Sequence, residues 1–151
     1  VNHIHAIDFS ENMIAIAQRK AKDQHFNNVT FEKATVEALN ISNQSLDAVL
    51  GLNILHLLND KETAINQVYQ MLKPGGIFVT STVCLGDTIS WFRIIGPIGR
   101  FLGIFPSFQV FTLDALVNSL TQTGFELDYQ WQPEQSKTVF KAVFIVAKKP
   151  V

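Results

Sequence analysis

The chain has 151 residues, of which 47% are hydrophobic and 17% charged, a composition typical of a globular domain that excludes a disordered one. Its net charge of -1 at pH 7 offers no basic surface for phosphates, so we expect no nucleic-acid partner. The single cysteine, Cys84, excludes an internal disulfide and indicates a reducing, cytoplasmic location.

The first predicted unit is a strand followed by a helix. Residues 4–7 form a short apolar strand, Asp8 lies at its exit, and Ser10 is placed to cap the helix that follows. A second strand is predicted at residues 29–32, where β-branched and aromatic residues follow two asparagines. The next apolar run, residues 46–52, is nearly continuous, which is typical of a parallel strand covered on both faces.

Helices and strands continue to alternate in the second half. A helix capped by Asp60 stops at the letters LKPGG, and residues 77–83 form the next strand. After a helix capped by Thr112, residues 125–131 alternate apolar and polar side chains, which predicts a half-exposed strand. A turn too short for a crossover helix then leads to a buried strand at 139–147, so the last two strands are antiparallel. The pattern predicts an α/β fold, a Rossmann-like doubly wound sheet with a C-terminal antiparallel hairpin, within a single domain of residues 1–151.

Residues 84–111 are irregular, apolar and rich in glycine, proline and phenylalanine. They follow the carboxyl end of a strand, where open α/β sheets bind ligands. We expect this insert to be a lid over a hydrophobic acceptor or, through residues 91–108, a contact with a membrane surface. Ordinary core packing and burial against a second copy of the chain are the alternatives.

Several segments together resemble one enzyme family. They are DFSENMIAIAQRKA, LDAVLGLNILHLL, MLKPGGIFVTSTV and TGFE, and their order and spacing are similar to the class I S-adenosylmethionine-dependent methyltransferases. The ubiquinone/menaquinone-type, small-molecule branch fits best. The resemblance implies S-adenosyl-L-methionine as cofactor, methyl transfer to a small, apolar acceptor, and a sheet whose last strand lies antiparallel between the two strands before it.

The resemblance also implies a cofactor site. Asp8 matches the acid that accepts hydrogen bonds from both ribose hydroxyls, and Phe9 and Met13 would border the adenine and ribose. A simple helix-start acid is the structural alternative for Asp8. Thr35 and Val36 fall where the family has an acid for the adenine amino group followed by a small residue. Here the acid is replaced by threonine, which leaves the backbone N–H of Val36 to bond the ring.

A second group of candidates follows the strand at 46–52. Gly51, Leu52 and Asn53 match the residues next to the methionyl part of the cofactor and the transferred methyl. His56 is the candidate catalytic base, because its unperturbed pKa of about 6.5 suits proton transfer near neutral pH. Packing at the strand exit is the alternative for His56. No metal ligands are predicted.

The family's first strand and its glycine-rich turn have no counterpart in the sequence, so we expect an N-terminally truncated domain that binds the cofactor weakly or not at all. The missing strand would leave two unpaired strand edges, which we expect to close on each other or to pair in a homodimer. Two alternatives to the methyltransferase remain. One is an NAD-dependent dehydrogenase, since an acid at a strand end also suits NAD ribose; the other is a non-catalytic Rossmann-like remnant that dimerises.

Overall fold

The computed structural model describes residues 1–84, 111–132 and 142–151, which fall into two compact units, Val1–Asn40 and Ile41–Val151. The first unit contains β1 (Ile4–Asp8), α1 (Glu11–Asp23), β2 (Val29–Lys33) and a 3-10 turn at Val36–Ala38. The second contains β3 (Leu46–Leu52), a 3-10 turn at Leu55–Leu57, α2 (Lys61–Met71), β4 (Leu72–Val83), α3 (Leu113–Thr123), β5 (Glu126–Trp131) and β6 (Ala142–Lys148). The predicted insert at 84–111 lies outside the described residues except for its two ends.

The first unit is a strand–helix–strand unit, as the sequence predicts. β1 and β2 are parallel, with Ile4 opposite Val29 and Asp8 opposite Lys33. The hydroxyl of Ser10 caps α1 by accepting a first-turn backbone N–H at 3.4 Å. Because the two strands are parallel and in register, their carboxyl ends meet at one edge.

The second unit is built on a four-stranded sheet with the order β3-β4-β6-β5. β3 and β4 are parallel, whereas β6 runs antiparallel to both of its neighbours. The last strand therefore lies between the two strands that precede it, and the predicted antiparallel hairpin is confirmed. In the first unit, β1 and β2 form a two-stranded sheet of their own.

β4 begins earlier than predicted. The sequence predicts a strand at residues 77–83, but β4 starts at Leu72, immediately after α2 ends. Leu72 pairs with Leu46 and Ile77 pairs with Ala48, so the residues between them bulge out of the ladder. Gly75 has a φ of 77° in this bulge, the left-handed conformation predicted for one of the two glycines here.

One face of the four-stranded sheet is covered by α2 and α3. Its core contains side chains from both helices and from alternate positions of β4 and β6: Ile65, Val68, Leu116, Leu120, Phe78, Val143, Ile145 and Ala147. α3 begins at its predicted cap, because the Thr112 hydroxyl accepts the N–H of Ala115 at 3.1 Å. Packing on this face thus holds β3 and β4 in place, and the second group of candidate residues lies at the carboxyl ends of these strands.

The opposite face of this sheet differs from the prediction. On β3, Leu50 is 65% exposed and Leu52 57% exposed, so the expected cover on both faces is wrong for this strand. β3 is at the edge of its sheet, and α2 and α3 pack against the other face only. β5 is also exposed on both of its faces, although its alternating pattern predicts one buried face. No helix in the described part of the chain is long and apolar enough to cross a membrane.

Candidate functional site

Asp8 is the last residue of β1 and lies at the carboxyl end of the parallel pair. Its side chain is partly buried, and Oδ1 accepts the backbone N–H of Ser10 at 2.7 Å. That bond matches the structural alternative of a helix-start acid, but it uses only one carboxylate oxygen. Within the described ranges, Asp8 forms no ion pair and Oδ2 accepts no hydrogen bond. The carboxylate is therefore oriented by the chain while retaining an oxygen for a ligand hydroxyl.

Phe9 and Met13 follow Asp8 and are both exposed. The side chain of Phe9 is 65% exposed and that of Met13 is 52% exposed, although both are large and apolar. Apolar side chains beside a single oriented polar group are typical of small-molecule sites, and an aromatic ring provides a face for stacking. The structure brings these two residues next to Asp8 at the start of α1.

Thr35 and Val36 lie just after β2, at the same edge as Asp8. The two strand ends are joined there, because the N–H of Ala34 donates to the Asp8 carbonyl at 3.1 Å. Thr35 is exposed and makes no side-chain cap to the 3-10 turn that begins at Val36. As the first residue of that turn, Val36 has an N–H for which the turn supplies no acceptor. Asp8, Thr35 and Val36 thus form one group within the first unit.

Gly51 has a clear packing role near the end of β3. A Cβ at this position would approach the ring of Phe78 to 3.1 Å, tighter than most real contacts. The Gly51 carbonyl also accepts the hydroxyl of Thr80 at 2.9 Å. A larger residue at position 51 would therefore crowd the Phe78 ring, and the Gly51 carbonyl is held in place by Thr80. Leu52, the next residue, has an exposed side chain.

Asn53 has a backbone conformation that few residues adopt. Its φ is 55°, in the left-handed region, and its N–H donates to the Ser81 carbonyl at 2.8 Å. The Ser81 hydroxyl lies 3.4 Å from the Asn53 Oδ1 and is oriented to donate to it. Left-handed non-glycine residues cluster at functional sites, and asparagine tolerates the conformation better than most. No sequence signal predicted this backbone geometry.

His56 lies in the 3-10 turn that follows Asn53. Its Nδ1 is 3.0 Å from Oγ1 of Thr82 on β4, and its side chain is half-buried. Burial lowers the pKa of His56 below its ordinary value of 6.5, which favours the neutral ring. Sequence reasoning missed Thr82; the available signal was the run of three hydroxyl residues, Thr80, Ser81 and Thr82, near the end of β4.

The predicted site residues thus fall into two groups, each within its own unit. One comprises Asp8, Phe9, Met13, Thr35 and Val36, and the other Gly51, Leu52, Asn53 and His56. Both groups lie at or just after the carboxyl ends of parallel strands, the position at which open α/β sheets bind ligands. In the part of the chain that the structure describes, no three His, Cys, Asp or Glu side chains are grouped to hold a metal ion.

Comparison with known proteins identifies the family. Residues 2–144 match the family described as "Methyltransferase domain". The chain belongs to this methyltransferase family. The prediction of a methyltransferase domain is thereby confirmed, and its α/β fold is Rossmann-like. The dehydrogenase alternative is not favoured.

Individual methyltransferases match parts of this domain. The uncharacterized methyltransferase YdaC of Bacillus subtilis is 34% identical over 74 residues, which are 49% of this chain and 39% of YdaC. A demethylmenaquinone methyltransferase of Leptospira interrogans is 34% identical over 86 residues, 55% of this chain and 34% of that enzyme. The chain therefore spans well under half the length of these two curated relatives.

The fold is also found in solved methyltransferases. A SAM-dependent methyltransferase from Methanosarcina mazei matches with a TM-score of 0.78, covering 99% of this chain and 84% of that one. Its sequence identity is 20%, so the likeness supports the fold alone.

Proposed function

We propose that the chain is part of an S-adenosyl-L-methionine-dependent methyltransferase that methylates a small, apolar acceptor. The observation that carries the proposal is the Asp8 carboxylate at the carboxyl end of β1. Ser10 orients it through Oδ1, and Oδ2 accepts no hydrogen bond among the described residues. A carboxylate held in this way suits a ribose diol, because its oxygens accept from two hydroxyls at once.

The first unit would hold the nucleoside part of the cofactor. In this proposal Asp8 accepts from the ribose hydroxyls, and Phe9 and Met13 border the adenine. The N–H of Val36 donates to the adenine ring, while Thr35 provides no carboxylate for the amino group. The ribose and the ring therefore have partners in this unit, whereas the amino group lacks the family's usual acid.

The second unit would hold the reacting end of the cofactor. The cofactor supplies a methyl group that is already activated by the positive charge on sulfur. The residues at the exit of β3 then have two tasks, to align the acceptor with that methyl and to exclude water. Gly51, Leu52 and Asn53 border the methionyl part in this proposal, and His56 contacts the acceptor.

The described glycines support only part of this cofactor site. Gly51 lies in β3, Gly75 and Gly76 lie in β4, and Gly124 ends α3, so none forms a strand-to-helix turn under the methionine moiety. We therefore expect this chain to bind the cofactor more weakly than micromolar.

The nature of the acceptor, the location and the oligomeric state stay predictions. The name of the Leptospira relative refers to demethylmenaquinone, which supports an apolar acceptor in this branch. The apolar sequence at 91–108, outside the described residues, supports a lid or a membrane-surface contact. A cytoplasmic location and a homodimer complete the proposal.

The ribose contact can be tested by titrating the chain with S-adenosylhomocysteine and following backbone amide signals by NMR, which detects millimolar binding. We expect shifts at Asp8, Val36 and Asn53. Asp8→Asn should weaken binding about tenfold or more, because hydrogen bonds to a charged group are the stronger ones. Asp23→Asn is the matched control, since Asp23 is an exposed acid at the other end of α1.

The 2′-deoxy analogue of the same ligand isolates the diol. The wild type should bind the 2′-deoxy analogue about tenfold more weakly than it binds the parent ligand. Asp8→Asn should bind the two ligands with about equal affinity, because it has already lost the carboxylate. Equal affinities of Asp8→Asn and Asp23→Asn would contradict the ribose role of Asp8 and, with it, the proposed function.

A further inference from the structure

The sheet face that α2 and α3 leave uncovered carries a continuous row of apolar side chains. Strand register places Leu50 of β3 opposite Val79 of β4, Val79 opposite Val146 of β6, and Val146 opposite Tyr129 of β5. Side chains at paired positions point to the same face of a sheet, so the row crosses all four strands. We call this surface the open face. Its other apolar members are Ile77, Phe144 and Trp131.

Much of the open face is exposed to solvent. Leu50, Tyr129 and Trp131 are each 50–65% exposed and Ile77 is 38% exposed, while the other three side chains are partly exposed. A large aromatic side chain buries about 150–250 Å² when it is fully covered, so this degree of exposure leaves about 500 Å² on the open face. A contiguous apolar patch of this size is typical of an interaction surface.

The composition of the open face also fits an interface. None of its seven side chains is charged. The rings of Tyr129 and Phe144 pack edge to face with their centres 6.5 Å apart, so two of the aromatic side chains already hold each other in place. Interface cores are depleted of charge and enriched in tyrosine, tryptophan and phenylalanine.

We propose that the open face packs against the same face of a second copy of the chain. An uncharged face can meet itself about a two-fold axis without bringing like charges together. Two such faces would bury about 1,000 Å² in total, the size that a specific interface needs. Glu126 and Lys148 are paired at one end of the face and provide both signs of charge at its margin. The two sheets would stack face to face, as in the core of a β-sandwich.

This interface differs from pairing through strand edges. Edge pairing uses the backbone of β3 or β5 and does not involve the two central strands, whereas face packing buries side chains of β4 and β6. Val146 lies on β6, between two other strands, so a change at this position separates the two modes. The inference rests on the homodimer of the proposed function but not on its cofactor contacts.

Light scattering at several protein concentrations measures the association. We expect a wild-type dimer, and Val146→Lys and Trp131→Lys should each weaken it at least about tenfold, because each places an unpaired charge in the interface. Trp131→Phe keeps an aromatic ring and should retain the dimer. Gln122→Lys adds the same charge at an exposed position of α3, which packs on the other face of the sheet, and should retain it as well.

A second measurement uses the unchanged open face. The chain has two tryptophans, so in Trp91→Phe the fluorescence of Trp131 is observed alone. Iodide should quench this fluorescence less in the dimer than after dilution to the monomer, and unchanged quenching would overturn the inference even if Val146→Lys failed to fold.

The outcomes separate this inference from the rest of the proposal. A dimer that persists in folded Val146→Lys would overturn the open face as the interface while leaving the homodimer in place. A monomeric wild type would overturn both and would leave the open face to another occupant. No methyl donor is needed, so neither result affects the Asp8 test.

Discussion

At the residue scale, the candidate site depends on a few side chains whose partners lie far away in sequence. Asp8 was identified from its position after an apolar strand, because strand–acid–helix is a local pattern. Thr82 was not identified, because its role depends on a contact with His56, 26 residues earlier. The local pattern therefore predicts where a functional side chain lies, but the group that orients it comes from another strand.

Asn53 provides a test of backbone strain at the exit of β3. Its φ of 55° suits glycine and asparagine but not a β-branched residue. Asn53→Val should therefore lower the free energy of unfolding by about 1–3 kcal/mol, whereas Asn53→Gly should change it little. Urea denaturation of both variants measures the difference. Equal stability of the two would show that the left-handed conformation costs nothing at this position.

At the element scale, the helix starts were predictable and the helix and strand ends were less so. Ser10, Asp60 and Thr112 each cap the helix that the sequence assigned to them, because an N-cap is a local signal. The start of β4 at Leu72 was not predicted, since proline and two glycines normally interrupt a ladder. The exposure of β5 was also missed, because alternation indicates two different faces but not whether anything covers them.

The end of α2 is closed by the residue that follows β6. Nζ of Lys149 is buried and donates to the carbonyls of Tyr69 and Leu72 at 2.7 and 2.8 Å. The ammonium also lies 4.4 Å from the centre of the Tyr69 ring. A cation suits the negative end of a helix, and α2 has no basic residue in its own last turn. Sequence reasoning treats a lysine after a strand as solvent-exposed, so it missed this contact.

Replacing this lysine should be costly. Lys149→Met keeps the apolar stem but leaves two carbonyls without their charged donor, and we expect the free energy of unfolding to fall by about 2–3 kcal/mol. Lys148→Met is the matched control, because Lys148 is the exposed neighbour and should change stability by less than about 0.5 kcal/mol. Thermal or urea unfolding of the two variants measures the difference in their stability. Equal losses would mean that the ammonium of Lys149 contributes nothing specific.

At the scale of the whole molecule, strand order was predicted better than solvent exposure. The order β3-β4-β6-β5 and the antiparallel last strand follow from the alternation of elements and the family resemblance. The exposure of the sheet face that α2 and α3 leave uncovered could not be predicted in this way. A continuous apolar run indicates hydrophobic surroundings, but it does not indicate which element provides them. The expected homodimer would make use of β3, which is an edge strand of its sheet.

The homodimer can be tested by sedimentation at several concentrations. Leu50 on β3 is exposed and lies outside the proposed cofactor contacts, so Leu50→Lys should introduce a charge that opposes edge pairing. We expect a dimer for the wild type and at least tenfold weaker association for Leu50→Lys, since burying an unpaired charge is costly. Thr121→Lys adds the same charge on the exposed side of α3 and should not affect association. A monomeric wild type would contradict the dimer.

The contact made by Lys149 also affects the order in which the chain acquires its structure. The ammonium reaches a carbonyl 80 positions earlier, so α2 is synthesised long before its final carbonyls receive their donor. A nascent chain that has emerged from the ribosome only as far as β5 carries a helix with an open C-terminus. Completion of the second unit must therefore await the synthesis and emergence of β6 and Lys149, so the end of α2 is closed late in folding.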